Sequence, residues 1–179
     1  MKELTEQTIA KQTIHKGKLI QLDVEDVKLP DGTVAKRELV RHPGAVAVVA
    51  ITEGGKIVLV EQYRKALEKA IIEIPAGKIE PGEAPVKTAR RELVEETGYQ
   101  AESLTLITSF YTSPGFADEL VYVYEATGLK KGDQHLDEGE FVRVLELTET
   151  ECDRLEQEER IHDAKTSYAL QYWKLKNRR

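Results

Sequence analysis

GKIEPGEAPVKTARRELVEETGY, residues 77–99, holds a loop, a helix and an acidic edge in one segment. Gly and Pro punctuate residues 76–85, which predicts a loop. Residues 86–97 then keep a helical period: Val86, Ala89 and Leu93 fall on one side, and Gly98 is placed to end the helix. On that helix Glu92, Glu95 and Glu96 span an arc of about 100°. Glu92 and Glu96 are one turn apart. Like charges at that spacing repel by roughly 0.2–0.5 kcal/mol when exposed, so the helix gains nothing from them. Arg90 and Arg91 offset part of the repulsion, with Arg91 able to reach Glu95 across one turn. A divalent cation would offset it better, because carboxylate oxygens are hard donors and magnesium takes one or two of them together with waters and phosphate oxygens.

Working outward, AVAVVAI at residues 45–51 is nearly all apolar and predicts a strand buried on both faces. Glu53-Gly54-Gly55 turns the chain, and residues 56–62 are predicted as its hairpin partner. Residues 71–74 form a short strand stopped by Pro75. Further strands are predicted at 104–110, 120–126 and 140–147. Two helices close the chain, over 149–159 and from about 163, the second carrying Ala164, Tyr168, Gln171 and Leu175 on one face. Ahead of these elements, Ile20, Leu22 and Val24 alternate with polar residues as in a half-buried strand. Pro30-Asp31-Gly32 makes a turn, and residues 34–40 return as a second strand. His42-Pro43-Gly44 breaks the pattern. The chain therefore divides into a small β-rich leader, 1–41, and a domain, 42–179, in which helices pack on a mixed sheet, an α/β class.

Composition limits the function. The 179 residues carry a net charge of −6, with 40% apolar and 32% charged residues. No basic stripe suits a nucleic-acid backbone, and an anionic substrate needs local arginines or a metal. The four histidines are scattered without metal-ligand spacing, and Cys152 is the only cysteine, which excludes an internal disulfide or a cysteine-rich zinc site. No apolar run reaches the roughly 20 residues of a membrane span, and the N-terminus lacks the apolar core of a signal peptide. These features predict a cytoplasmic protein with no membrane or nucleic-acid partner. Cys152 has no activating neighbour in view and is read as inert.

The spacing within residues 77–99 resembles the box of the Nudix hydrolase family: Gly77, Glu83, Arg91, Glu92, Leu93, Glu95, Glu96, Gly98 and Tyr99 occupy its positions. A chance match at that many fixed positions is on the order of one in a million at ordinary residue frequencies, which outweighs a merely solvated acidic face. Tyr99 is bulkier than the aliphatic residue common there. The resemblance covers about residues 42–175. It implies an α/β/α sandwich around a mixed sheet and hydrolysis of a nucleoside diphosphate linked to another group. It implies that Glu92 and Glu96 are the main metal ligands, that Glu95 is a further ligand or supports one, and that the Ala76 carbonyl adds another. Gly77, Glu83, Arg91 and Gly98 take structural places in the box, with Arg91 bracing loop and helix. The implied cofactor is Mg2+, with Mn2+ as a substitute.

Asp137-Glu138-Gly139-Glu140 precedes a strand where similar enzymes carry catalytic glutamates. Glu140 is assigned to the metal and Glu138 to the general base, and the roles are exchangeable. Pro114 lies 16 residues past Gly98 within Ser113-Pro114-Gly115, as in the ADP-ribose pyrophosphatase branch of the family. The implied reaction is hydrolysis of ADP-ribose to AMP and ribose 5-phosphate. Phe116 and Glu119 would line the terminal ribose pocket. Arg64 would engage the pyrophosphate, since a guanidinium matches two oxygens at once. Arg37 and Glu38 on the leader would hold the adenosine, with Arg41 a competitor to Arg37. The leader either exchanges between subunits of a homodimer or packs on its own domain. Other readings are a different X group (a nucleotide sugar, NADH, a dinucleoside polyphosphate) and a non-catalytic nucleotide-binding module.

Overall fold

The computed structural model describes residues 4–178. Ten strands and three helices follow in the order β1 (Gln7–Lys16), β2 (Gln21–Lys28), β3 (Val34–Arg41), β4 (Ala45–Ala50), β5 (Ile57–Arg64), β6 (Lys69–Glu73), β7 (Ala76–Lys78), α1 (Pro85–Thr97), β8 (Tyr99–Tyr111), β9 (Leu120–Lys131), β10 (Val142–Leu147), α2 (Glu149–Gln157) and α3 (Ala164–Asn177). The chain forms two compact units. One comprises Met1–Gly44 and Phe110–Leu120, and the other Ala45–Ser109 and Val121–Arg179.

In the first unit β1, β2 and β3 make an antiparallel sheet with β2 central. The alternation on β2 runs opposite to the expected one. Asp23, Glu25 and Val27 are buried, while Leu22 and Val24 are only half-buried. Burying carboxylates is costly unless they are paired, and these are. Asp23 accepts from Thr13, Gln21 and Lys11 and lies 3.5 Å from Arg41. Glu25 accepts from Thr8 and Arg41. The Lys11 ammonium holds the Asp23 carboxyl well below the usual carboxylate range. The 110–120 segment joins this unit through backbone bonds to β3: Val40 N–H donates to the Phe116 carbonyl, and Asp118 N–H to the Val40 carbonyl.

In the second unit a four-stranded mixed sheet runs β7-β4-β9-β8, with β4 parallel to β9 and antiparallel to β7. A second, antiparallel sheet runs β10-β5-β6. The expected hairpin of β4 with β5 is not formed. Apart from one isolated bridge, Ile51 to Ile57, the two strands belong to different sheets. β4 instead finds a hydrogen-bonding partner on each edge, β7 and β9, which makes it an inner strand of its sheet. Residues 76–78, expected within a loop, add the short edge strand β7.

The residues Val46, Val48 and Ala50 pack with Val58, with Ala89 and Leu93 of α1, and with Tyr99, Ala101, Tyr124 and Ala126 in one core. Ala47 and Val49, sent to the opposite face by strand alternation, are equally buried. α3 buries Thr166, Ala169, Leu170 and Trp173. The face proposed from sequence, Ala164, Tyr168, Gln171 and Leu175, is its solvent side. Trp173 is buried, whereas Tyr168 is exposed and the Tyr172 hydroxyl donates to Glu125. Cys152 is buried, and burial pushes its thiol up to about 12, which agrees with an inert thiol. No helix among the described residues is long and apolar enough to cross a membrane.

Candidate active site

The acidic edge is built by α1. Pro85 stands in the first turn, where its missing N–H is not needed, and Ala84 occupies the N-cap without a side-chain bond. Glu83 secures the start of the helix instead. It accepts from the Thr88 hydroxyl at 2.8 Å and from Arg91, and the Arg91 guanidinium holds its carboxyl below the usual range. Gly98 closes the helix at φ 74°, its N–H donating to the Val94 carbonyl. A Cβ there would also lie 2.6 Å from the Gly132 carbonyl oxygen, so the position suits only glycine on two grounds.

Arg91 is the hub of these contacts. Its Nη1 donates to Glu92 and Glu95, both at 2.8 Å, and its Nη2 donates to Glu83 at 3.1 Å and to the Lys78 carbonyl at 3.4 Å. It thus ties the loop to the helix. Arg90 takes no part in this network and donates to the Ala101 carbonyl.

Glu96 is only 5% exposed. One oxygen accepts from the Ala76 N–H at 2.9 Å, and Gln62 Nε2 lies 3.5 Å from the other. Burial, opposed by the Ala76 N–H and reinforced by the charges of Glu92 and Glu140, pushes its carboxyl up to about 8; Arg64 acts the other way. Glu92 is pushed up as well, first by burial, against the pull of Arg91 and with the Glu95 and Glu140 charges adding to the rise. The carboxyl of Glu92 sits directly on Gly77: a Cβ at that residue would lie 1.9 Å from its Cδ.

The remaining predicted residues divide by unit. Arg64 ends β5, and its Nε donates to the buried Glu73 at 2.7 Å. Glu138 and Glu140 are exposed on the loop before β10, with Gly139 at φ 87°. The Glu140 charge reaches both Glu92 and Glu96. That loop is anchored on α1, because His135 N–H donates to the Glu95 carbonyl and Gln134 Nε2 to the Glu96 carbonyl. Arg37, Glu38, Pro114, Phe116 and Glu119 belong to the first unit. Arg37 pairs with Glu6 there, and Glu38 is exposed. Phe116 is exposed and Glu119 accepts from the Thr112 hydroxyl. Arg41 is engaged by Asp23, Glu25 and Asp118.

The donor set suits a hard divalent cation, since carboxylates crowded by burial and by neighbouring negative charges gain from such an ion. Among the described residues, no three acidic, His or Cys side chains stand close enough together to hold an ion as arranged. Arg91 takes one oxygen each of Glu92 and Glu95. Three participants escaped the sequence reading: Gln62, Gln134 and Glu73. Only Glu73 left a signal, as a lone charge among Ile71, Ile72 and Ile74.

Residues 40–168 match the family model described as NUDIX domain. The chain is 57% identical over 178 residues to the "ADP-ribose pyrophosphatase" of Bacillus subtilis (strain 168), covering 98% of this chain and 96% of that protein. It is 56% identical over 172 residues to the "Methanol dehydrogenase activator" of Bacillus methanolicus, covering 95% and 93%. A solved structure described as an ADP compounds hydrolase superposes with a TM-score of 0.81 at 22% identity, over 93% of this chain and 91% of that one, a likeness that speaks for the α/β fold. The family model spans well over half of the chain and these relatives match nearly its full length: the chain belongs to the Nudix family.

Proposed function

We propose that this chain is a Nudix pyrophosphohydrolase that cleaves ADP-ribose to AMP and ribose 5-phosphate. The observation that carries the reading is the acidic edge of α1, where buried Glu96 stands beside half-buried Glu92 and Glu95 and Arg91 ties the last two to the preceding loop. The name of the 57% identical Bacillus subtilis relative, an ADP-ribose pyrophosphatase, supports the substrate. Water adds to one phosphorus, the anhydride P–O bond breaks, and the proton goes to a loop carboxylate, Glu138 in our assignment. Glu92 and Glu96 would hold the divalent cation, Mg2+ with Mn2+ as substitute, and Glu95, Glu140 and the Ala76 carbonyl would complete its surroundings. Once bound, the cation neutralises the diphosphate and makes the water a better nucleophile. Arg64 engages the pyrophosphate, while Gly77, Glu83, Arg91 and Gly98 keep the carboxylates in place. Pro114, Phe116 and Glu119 would shape the ribose side, and Arg37 and Glu38 the adenosine side.

The leader exposes Ile9, Ile14, Leu19, Ile20 and Val34. Apolar exposure on that scale supports a homodimer in which residues 1–41 serve the partner. A lone buried cysteine suits the cytoplasm. The test is a panel of ADP-ribose, nucleotide sugars, NADH and dinucleoside polyphosphates with magnesium or manganese, read by AMP and phosphate release. ADP-ribose should have the highest kcat/KM. A higher value for another member transfers the activity to it, and tight binding without any product would leave a binding module.

A further inference from the structure

We propose that Glu73 is a positioning residue for substrate recognition, which fixes the Arg64 guanidinium and is itself fixed by Lys165 of α3. The inference rests on Arg64 being the pyrophosphate contact. Glu73 closes β6 between apolar neighbours and is 3% exposed. A carboxylate so placed needs a partner for each oxygen, and it has them. Arg64 Nε donates to Oε2 at 2.7 Å, and Lys165 Nζ donates to Oε1 at 2.6 Å.

Lys165 is no loose partner. Its ammonium also donates to Asp163 Oδ1 at 2.9 Å, and the same Asp163 oxygen caps α3 through the Thr166 N–H. One residue further along, the Ile74 N–H donates to Thr166 Oγ1 at 3.0 Å. Glu73 at the end of β6 and Ile74 just after it are thereby tied to two consecutive residues at the start of α3. The anchor of Arg64 is a rigid junction of strand and helix, not a surface ion pair.

What this does for Arg64 follows from the shape of a guanidinium. The group is planar and carries its donors in a fixed fork. With Nε engaged by Glu73, the Nη groups keep donors that can match two oxygens of a phosphate. Strand alternation puts Gln62 and Arg64 on one face of β5, and Gln62 already reaches Glu96. The Arg64 charge is felt at Glu96 as well. A long side chain, 40% exposed, is thus held in one orientation beside the acidic edge before substrate arrives, which lowers the ordering cost of binding.

The test is steady-state hydrolysis, on ADP-ribose and on whichever panel member is turned over fastest, by the wild type, Arg64→Ala, Glu73→Gln, Glu73→Asp, Lys165→Met and the Arg64→Ala/Glu73→Gln pair, each with its thermal unfolding midpoint. Glu73→Gln should raise KM about tenfold with a much smaller change in kcat, as loss of a positioned charge-assisted contact requires. Glu73→Asp should recover part of the loss, and Lys165→Met should shift KM in the same direction. In the Arg64→Ala background Glu73→Gln should add nothing. A normal KM in Glu73→Gln and Lys165→Met, beside a raised KM in Arg64→Ala, overturns the role of Glu73 while leaving the site reading intact. An unchanged KM in Arg64→Ala removes the pyrophosphate contact, and the proposal with it.

Discussion

The carboxyl of Glu92 occupies the space that a side chain on Gly77 would need: a Cβ there would lie 1.9 Å from Glu92 Cδ and 2.0 Å from its Oε1. The first glycine of the box and its first helix carboxylate are therefore one steric unit, although a loop and two turns of helix separate them in the chain. Glycine at this place serves the approach of an acid to the backbone of β7, not a turn.

Gly77→Ala follows directly. The added methyl must displace Glu92 or part β7 from α1, an overpacking cost of about 1–3 kcal/mol. Turnover should fall by on the order of a hundredfold, in keeping with a misplacement of about 1 Å at a reacting site, while circular dichroism stays that of a folded protein. Near-normal kcat would mean that the Glu92 position is unimportant.

A second prediction concerns proton linkage at Glu96, whose carboxyl is pushed up to about 8 by burial. The unfolded chain loses this proton near the ordinary glutamate value of 4.5, so between about 4.5 and 8 the folded state holds more protons. Stability without divalent metal should then fall as pH rises through that window and level off above it. Glu96→Gln removes the ionisation, and at a pH of about 8.5 with a chelator it should raise stability by on the order of a few kcal/mol. Equal chemical-denaturation midpoints for the two proteins at that pH would show that Glu96 ionises freely in the fold.

Metal binding should release protons for the same reason. The cation needs the carboxylate form, so below a pH of about 8 its binding drives the Glu96 proton off, and affinity climbs with pH up to that value. Calorimetry of Mn2+ binding in two buffers of different ionisation enthalpy measures the release. Absence of any release at a pH of about 6.5, well inside the window, would contradict the coupling.

How the first unit holds its 110–120 segment gives a fourth test. Arg41 Nη1 reaches Asp118 at 3.2 Å, and Asp118 also accepts from the His42 N–H at 2.8 Å. In Asp118→Asn, amide exchange at Val40 and Asp118, whose backbone bonds close the segment on β3, should quicken by on the order of tenfold, as in a local opening. Unaltered exchange there, measured by mass spectrometry, would show that backbone pairing alone suffices.

Much of this is legible in the sequence because it is local. The 3.6 period of Val86, Ala89 and Leu93, with Gly98 behind them, marks α1 wherever the rest of the chain goes, and Arg91 to Glu95 is a one-turn contact. The β4 run shows that it is buried by its composition. Its partners depend on pairings far along the chain, so a tight turn after it suggests a hairpin with β5 where β7 and β9 are found. The apolar alternation of Leu22 and Val24 misleads because the ion network of Asp23, Glu25, Lys11 and Arg41 makes the opposite face the buried one. Glu73 and Gln62 escape for a related reason: their partners Lys165 and Glu96 are 92 and 34 residues away, and no spacing rule spans such distances.

In our proposal Glu92 and Glu96 hold divalent cations for pyrophosphate hydrolysis. Electron paramagnetic resonance of Mn2+ titrated into wild type, Glu92→Gln and Glu96→Gln, each with ADP-ribose present, tests it most directly. We predict saturable Mn2+ binding by the wild type and association weaker by about tenfold or more in both variants, with AMP release falling in step. Equal Mn2+ binding by all three proteins would contradict the claim.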